Sequence, residues 1–158
     1  MKNNKVLSLC QGAMIGALYV VLTLISSVTG LASTPVRLSE ALCILPYFTP
    51  AAIPGLAIGC FLANFLTGCA TWDILFGSLA TLIGAVVARM LRKHKWLVPL
   101  PSVLANMIVV PPVLMYVYGA EEAYPFLVAT VGIGEVVSIY GLGMLLFFAL
   151  DKRKNIFA

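Results

Sequence analysis

Six polar side chains interrupt stretches that are otherwise almost wholly apolar: Arg37, Glu40, Asn64, Asp73, Asn106 and Glu135. Together they offer three carboxylates, two carboxamides and one guanidinium. A carboxylate accepts two N–H bonds at once, and an asparagine both donates and accepts. The set suits a polar, planar ligand with N–H donors beside a carbonyl, such as a guanine-like heterocycle; other vitamin-sized molecules answer the same description. Trp72, Tyr47 and Tyr140 are the rings that would stack on such a ligand. Trp72, Tyr47 and Tyr124 equally fit the aromatic belt of a membrane protein.

The surroundings of these residues set their cost. The chain of 158 residues is 61% hydrophobic and 10% charged, with a mean hydropathy of +1.04. That leaves too few polar groups to cover a water-facing surface. The composition therefore implies an integral membrane protein, with length for five or six spans and no separate soluble domain. A charge at mid-membrane costs at least about 2.5–3.5 kcal/mol. Glu135, roughly twelve residues into the last apolar segment at about 1.5 Å per residue, needs a partner, a proton or a wet cavity. One reading is a structural ion pair, Arg37 with Glu40 or with Glu135. The other is a ligand site, favoured by the number of polar groups at compatible depth.

The elements that must position them read as six helices forming one domain over 1–158. The spans are expected over 5–28, 36–47, 50–67, 72–91, 97–118 and 124–150. The basic start and apolar run of the first segment resemble a signal peptide, but the run exceeds the usual h-region, so a retained span is expected. The second span is short. Twelve residues of α-helix cover roughly 18 Å of a hydrocarbon core of about 30 Å, so tilt or irregular backbone must supply the rest. Pro46 and Pro50 predict a break at its end. Small residues recur four apart in the first span, as Gly12 with Gly16 and Ala13 with Ala17. Such a stripe lets another backbone approach closely, either within the chain or from a second membrane subunit.

Charge fixes the expected orientation. With six spans, nine of the ten Lys and Arg residues fall on the side of the termini, and only Arg37 on the other. The positive-inside rule makes the termini cytoplasmic. The polar residues then gather in the outer half of the bundle. The net charge of +4 belongs to loop ends, so it signals topology and not nucleic-acid binding.

Several chemistries lack support. No phosphate-binding G-x-x-x-x-G-K-[ST] loop is present. The one histidine, His94, lies in a basic loop. No His/Glu spacing suggests a metal, and no serine sits in a nucleophile elbow. The four cysteines, Cys10, Cys43, Cys60 and Cys69, show no C-x-x-C spacing and read as small packing residues. Neither an enzyme nor a cofactor is expected.

The blocks RLSEALCILPYFTPAAIPGLAIGCFLANFL, WDILFGSLATLIGA, PLPSVLANMIVVPPVL and VGIGEVVSIYGLGMLL occur in this order over about 12–150. They resemble the QueT family, predicted substrate-binding (S) components of energy-coupling factor transporters for queuosine precursors. The resemblance implies a compact all-α bundle of six transmembrane helices in the bacterial cell membrane. It implies capture of queuine or a related 7-deazaguanine base from outside. Delivery inward would require docking, through Ala13 and Ala17, on a transmembrane coupling subunit that carries two cytoplasmic ATPases. Under this resemblance Glu135 would read the donor edge or an aminomethyl cation, and Asn106 and Asn64 the carbonyl and ring nitrogens. Arg37 and Glu40 would frame the outer end, with Trp72 and Asp73 beside them. The alternatives are an S component for another vitamin-like compound, a small proton-coupled carrier, or a membrane scaffold without a ligand.

Overall fold

The computed structural model describes residues 2–29 and 37–153, with side chains from residue 5 onward. Most of the expected first loop, the start of the second span at Val36 and the C-terminal Lys154 lie outside the described residues. Those residues form six helices and no strand.

Helix α1 (Lys2–Val28) holds no proline and is mostly apolar after Lys5. Helix α2 (Leu38–Tyr47) is a 3-10 helix with Pro46 inside it. Helices α3 (Ala52–Leu66) and α4 (Thr71–Met90) follow, then α5 (Leu100–Tyr116). Helix α6 (Tyr124–Asp151) is α-helical to Glu135, π-helical over Val136–Gly143 and α-helical again from Met144. Three stretches are long and apolar enough to cross a membrane: Lys5–Val28, Thr71–Met90 and Tyr124–Asp151. Helices α2, α3 and α5 are shorter, at 10, 15 and 17 residues. The expected spans 50–67 and 97–118 are thus cut back. Prolines crowd their starts, and Gly68 (φ 74°) and Gly119 (φ 67°) take the left-handed conformation just past their ends, which closes a helix at little cost.

Helix α2 runs through the middle of the bundle. Every residue from Ser39 to Pro46 is buried. The tighter 3-10 winding rises about 2.0 Å per residue, so ten residues cover about 20 Å. That lengthens the span the sequence left short, although a 3-10 run of ten is long for a geometry usually used in three or four residues. At its far end Arg89 of α4 donates to the carbonyls of Pro46 and Tyr47, each at 2.9 Å. Terminal helix carbonyls have no partner within the helix and carry the negative end of its dipole. A guanidinium satisfies both needs.

The glycines explain how the other helices close around α2. A Cβ built on Gly55 of α3 would sit 2.5 Å from the carbonyl oxygen of Gly12 on α1, and one on Gly59 2.9 Å from that of Gly16. The backbones of α1 and α3 touch there. Gly84 of α4 similarly meets Ser102 of α5, at 2.8 Å from its Oγ. Ile15, Tyr19, Leu42, Leu45, Leu56 and Cys60 form one core, and Ile44, Ala88, Val98, Met144 and Phe147 another. The outer faces remain apolar: Leu9, Val28, Met90 and Tyr116 are 75%, 86%, 74% and 87% exposed. Lipid, not water, suits such a surface.

Candidate functional site

The last residues of α1, α3 and α5 and the first of α2, α4 and α6 gather at one end of the bundle, opposite the basic turn after α4. They enclose a cavity of about 570 Å³. Its lining includes Arg37, Glu40, Asn64, Asp73, Asn106 and Glu135. All six polar residues that stood out in the sequence therefore converge, although they come from five helices or their margins. Glu40 and Asn64 are 2% exposed, Asn106 and Glu135 6%, and Asp73 8%.

Each carboxylate is held differently. Glu40 Oε1 accepts the phenolic hydrogen of Tyr19 on α1, and its Oε2 lies 3.1 Å from the Cys43 thiol one turn along α2. Asp73 Oδ2 accepts from the Tyr118 hydroxyl at 3.0 Å, and the same hydroxyl accepts from the Ala70 backbone N–H at 3.1 Å. Tyr118 thus ties the turn before α4 to the turn after α5. The carboxamide of Asn106 faces the Glu135 carboxyl. Glu135 Oε2 is buried with no hydrogen-bond partner, as is the hydroxyl of Ser39 on the same cavity wall. A buried polar atom left unpaired costs roughly 1–3 kcal/mol, so these two mark where a ligand gains most by bonding.

Arg37 does not make the ion pair that one of the two readings of the sequence gave it. The partners of Glu40 are Tyr19 and Cys43, and Arg37 acts on Glu40, Asp73 and Glu135 only through space. Its backbone N–H donates to Ser138 Oγ at 3.1 Å, and that hydroxyl donates to the Gly134 carbonyl at 2.8 Å. Ser138 lies in the π-helical stretch directly after Glu135. An extra residue per turn re-aims the side chains of a helix, and such stretches recur at functional sites.

The expected stacking rings are elsewhere. Trp72 is 58% exposed and stacks on Phe76 at 5.7 Å, on the outer face between α3 and α4. Tyr47 packs against Phe48 and Phe147, and Tyr140 donates to the Trp96 carbonyl at 3.1 Å, both toward the basic end. The first turn of a helix points its successive side chains in different directions, so Asp73 faces in where Trp72 faces out. Tyr118 is the aromatic residue on the cavity wall. The cysteines also do more than pack: Cys43 bonds Glu40, and Cys60 lines the cavity and takes a weak bond from Asn64 Nδ2 at 3.7 Å. Tyr19, Tyr118, Ser39 and Ser138 escaped the sequence reading because a hydroxyl inside an apolar run carries no signal of its own.

The two small stripes of α1 separate. Gly12 and Gly16 pack against α3, while Ala13 and Ala17 are exposed.

The family model described as QueT transporter matches residues 9–152. The chain is 27% identical over 170 residues to the "Queuosine precursor transporter QueT" of Lactococcus lactis subsp. cremoris (strain MG1363), covering 99% of each. No solved structure matches.

Proposed function

The chain belongs to the QueT transporter family, and from that premise we propose that it is the substrate-binding component of an energy-coupling factor transporter for a queuosine precursor. A transporter family also means that it is not an enzyme. In this reading the six helices form one multi-pass domain in the bacterial cell membrane, with both termini cytoplasmic. The cavity then opens outward, because it lies at the end away from Arg89, Arg92, Lys93 and Lys95.

The observation that carries the reading is the convergence of five buried polar side chains and the half-buried Arg37 on one cavity inside an apolar bundle. Its volume of about 570 Å³ falls within the usual range of small-molecule sites, about 300–1,000 Å³. A 7-deazaguanine base such as queuine has a carbonyl flanked by N–H donors. Asn64 and Asn106 supply donors and acceptors for the carbonyl and ring nitrogens, and Glu135 offers a free oxygen to an N–H. Arg37, Glu40 and Asp73 frame the outer part of the site. Trp72, on the outer face, has no place in this scheme. A membrane coupling subunit bearing two ATPases would take the loaded protein at the exposed Ala13 and Ala17, where small side chains permit close helix contact.

The test is mass spectrometry of small molecules that co-purify with the protein, followed by calorimetric titration with the compound found. A 7-deazaguanine supports the reading; another vitamin-like compound, bound tightly, replaces the substrate and keeps the transporter. The unpartnered oxygen of Glu135 also favours a second reading, a proton-coupled carrier in which Glu135 takes up and releases the proton. Uptake by the protein alone in proteoliposomes, driven by a pH gradient, would decide for it.

A further inference from the structure

The turn that joins α4 to α5, at the end away from the cavity, gathers charge of one sign. Arg92, Lys93 and Lys95 are exposed on it, and Arg89 stands half-buried just before it. Two clefts of about 440 Å³ each meet at Lys93. The first is lined by Arg89, Met90, Arg92 and Lys93, and the second by Lys95 and Trp96 as well as Lys93. Among the described residues no carboxylate lines either cleft. The charge of Arg92 acts against that of Arg89, whose Nη1 is already spent on the α2 carbonyls. Topology asks only that cations lie on one side of the membrane. It does not ask that they crowd into one turn and repel each other, an arrangement that a bound anion relieves.

The turn is held in shape. The His94 N–H donates to the Leu91 carbonyl at 2.9 Å, and the Leu97 N–H to the His94 carbonyl at 2.8 Å. The Tyr140 hydroxyl of α6 donates to the Trp96 carbonyl at 3.1 Å, and the Lys95 ammonium lies 5.9 Å from the centre of the Phe148 ring. Beside the clefts the surface turns apolar. Ile83, Val86, Val87 and Met90 of α4 are exposed, at spacings that put them on one helix face leading from the first cleft into the span. An anion that fits both features has two parts: a phosphate-like head, which arginine and lysine bind well, and an apolar tail. Trp96, exposed at the second cleft, is the residue type that marks a membrane–water boundary. We propose that this turn binds the headgroup of an anionic phospholipid from the leaflet on its side of the bundle. Arg92 and Lys93 take the phosphate, and an acyl chain follows Ile83, Val87 and Met90. The site is independent of the ligand that the polar cavity takes.

The experiment uses the full-length protein purified in detergent and reads lipid retention by native mass spectrometry. The probes are phosphatidylglycerol and phosphatidylcholine with identical acyl chains, offered in equal amounts. Phosphatidylglycerol should be retained over phosphatidylcholine by on the order of tenfold, because each Lys or Arg near an anionic headgroup adds to the attraction. Arg92→Gln with Lys93→Gln should cut that ratio to about threefold or less. Lys152→Gln with Arg153→Gln removes the same charge from the same end of the bundle but outside both clefts, and should leave the ratio within about twofold of the parent. Lys93→Gln alone should fall between, and it serves as the test if the double variant fails to fold. Inorganic phosphate in excess should leave phosphatidylglycerol bound, since it has the charge without the tail. Equal retention of the two lipids by the parent overturns the site. An equal fall in the ratio for both double variants overturns it in favour of diffuse attraction. Displacement by inorganic phosphate overturns the lipid as its occupant.

Discussion

Tyr19 of α1 hands its phenolic hydrogen to Glu40 of α2, with the two side chains 1% and 2% exposed. The bond joins the helix that presents Ala13 and Ala17 outward to the helix that forms the cavity wall. Tyr19→Phe removes the donor and leaves a buried carboxylate oxygen short of a partner. The expected cost is about 1–3 kcal/mol, read as a lower thermal midpoint in detergent. Glu40→Gln in the same background should recover part of the loss, because the carboxamide needs no such donor to offset a charge. Equal melting of Tyr19→Phe and the parent would mean that water already serves Glu40 there.

The contact between α1 and α3 makes a sharper contrast. Gly55→Ala forces a methyl group to within 2.5 Å of the Gly12 carbonyl oxygen, backbone against backbone, so the helices must separate. A loss of about 1–3 kcal/mol follows from overpacking of this sort. Gly141→Ala is the control: nothing lies within 4 Å of a Cβ there. Its effect should stay within about 1 kcal/mol, and relief of glycine's backbone freedom pushes it toward stabilisation. The two variants, compared by thermal unfolding, separate close packing from mere helix propensity.

Arg89 gives a third test, at the opposite end from the cavity. Its Nη1 reaches the carbonyls of Pro46 and Tyr47 at 2.9 Å each. Arg89→Gln removes the charge from these two bonds and should cost about 1.5–3 kcal/mol. Arg89→Lys keeps the charge but not the planar fork, and should fall between the two. Hydrogen exchange of the amides at Phe48 and Thr49, which bond to Leu45 O, would report whether the end of α2 loosens.

How much of this was legible in the sequence depends on the kind of signal. The length of the apolar runs located all six helices, because long apolar runs broken by turn residues leave few alternatives. The six polar residues of the cavity were legible for an energetic reason: charge and carboxamide in an apolar run are costly unless they face inward. The direction of an aromatic ring carries no such penalty, so a stacking ring and a belt residue stayed equal readings for Trp72, and its exposed position fits the belt. The 3-10 winding of α2 and the π-helical turn after Glu135 depend on tertiary packing, here the burial of α2 on every side and the Ser138 bridge to Arg37. Neither leaves a mark on composition. Arg89 looked like one more basic loop residue because its targets are backbone carbonyls, which have no residue type.

Gly77 and Trp72 test the cavity directly. Gly77 lines it, and an added Cβ would lie 3.1 Å from Asn64 Nδ2 and 3.7 Å from Asp73 Oδ1. Gly77→Val places a branched side chain in space that a ligand would need. Under the proposed function, ligand affinity should fall by at least about tenfold, or about 1.4 kcal/mol. Trp72→Ala, on the outer face, should leave affinity within about twofold. The reverse order of effects, measured by calorimetry, would move the site out of this cavity.

The last prediction separates binding from transport, and it rests on the division of labour along α1. Gly12 and Gly16 are committed to α3, whereas Ala13 and Ala17 are exposed. Small exposed side chains four apart are of no use to lipid, which solvates leucine as readily, but they let a partner helix approach closely. Ala13→Trp with Ala17→Trp adds two rings to that face without touching the cavity. The doubly substituted protein should bind ligand with unchanged affinity and melt at an unchanged temperature. Uptake by cells that carry the coupling subunit and ATPases should drop to background. Loss of binding would place these alanines in the fold and not at a docking face, and full uptake would mean that the partner sits elsewhere on the bundle.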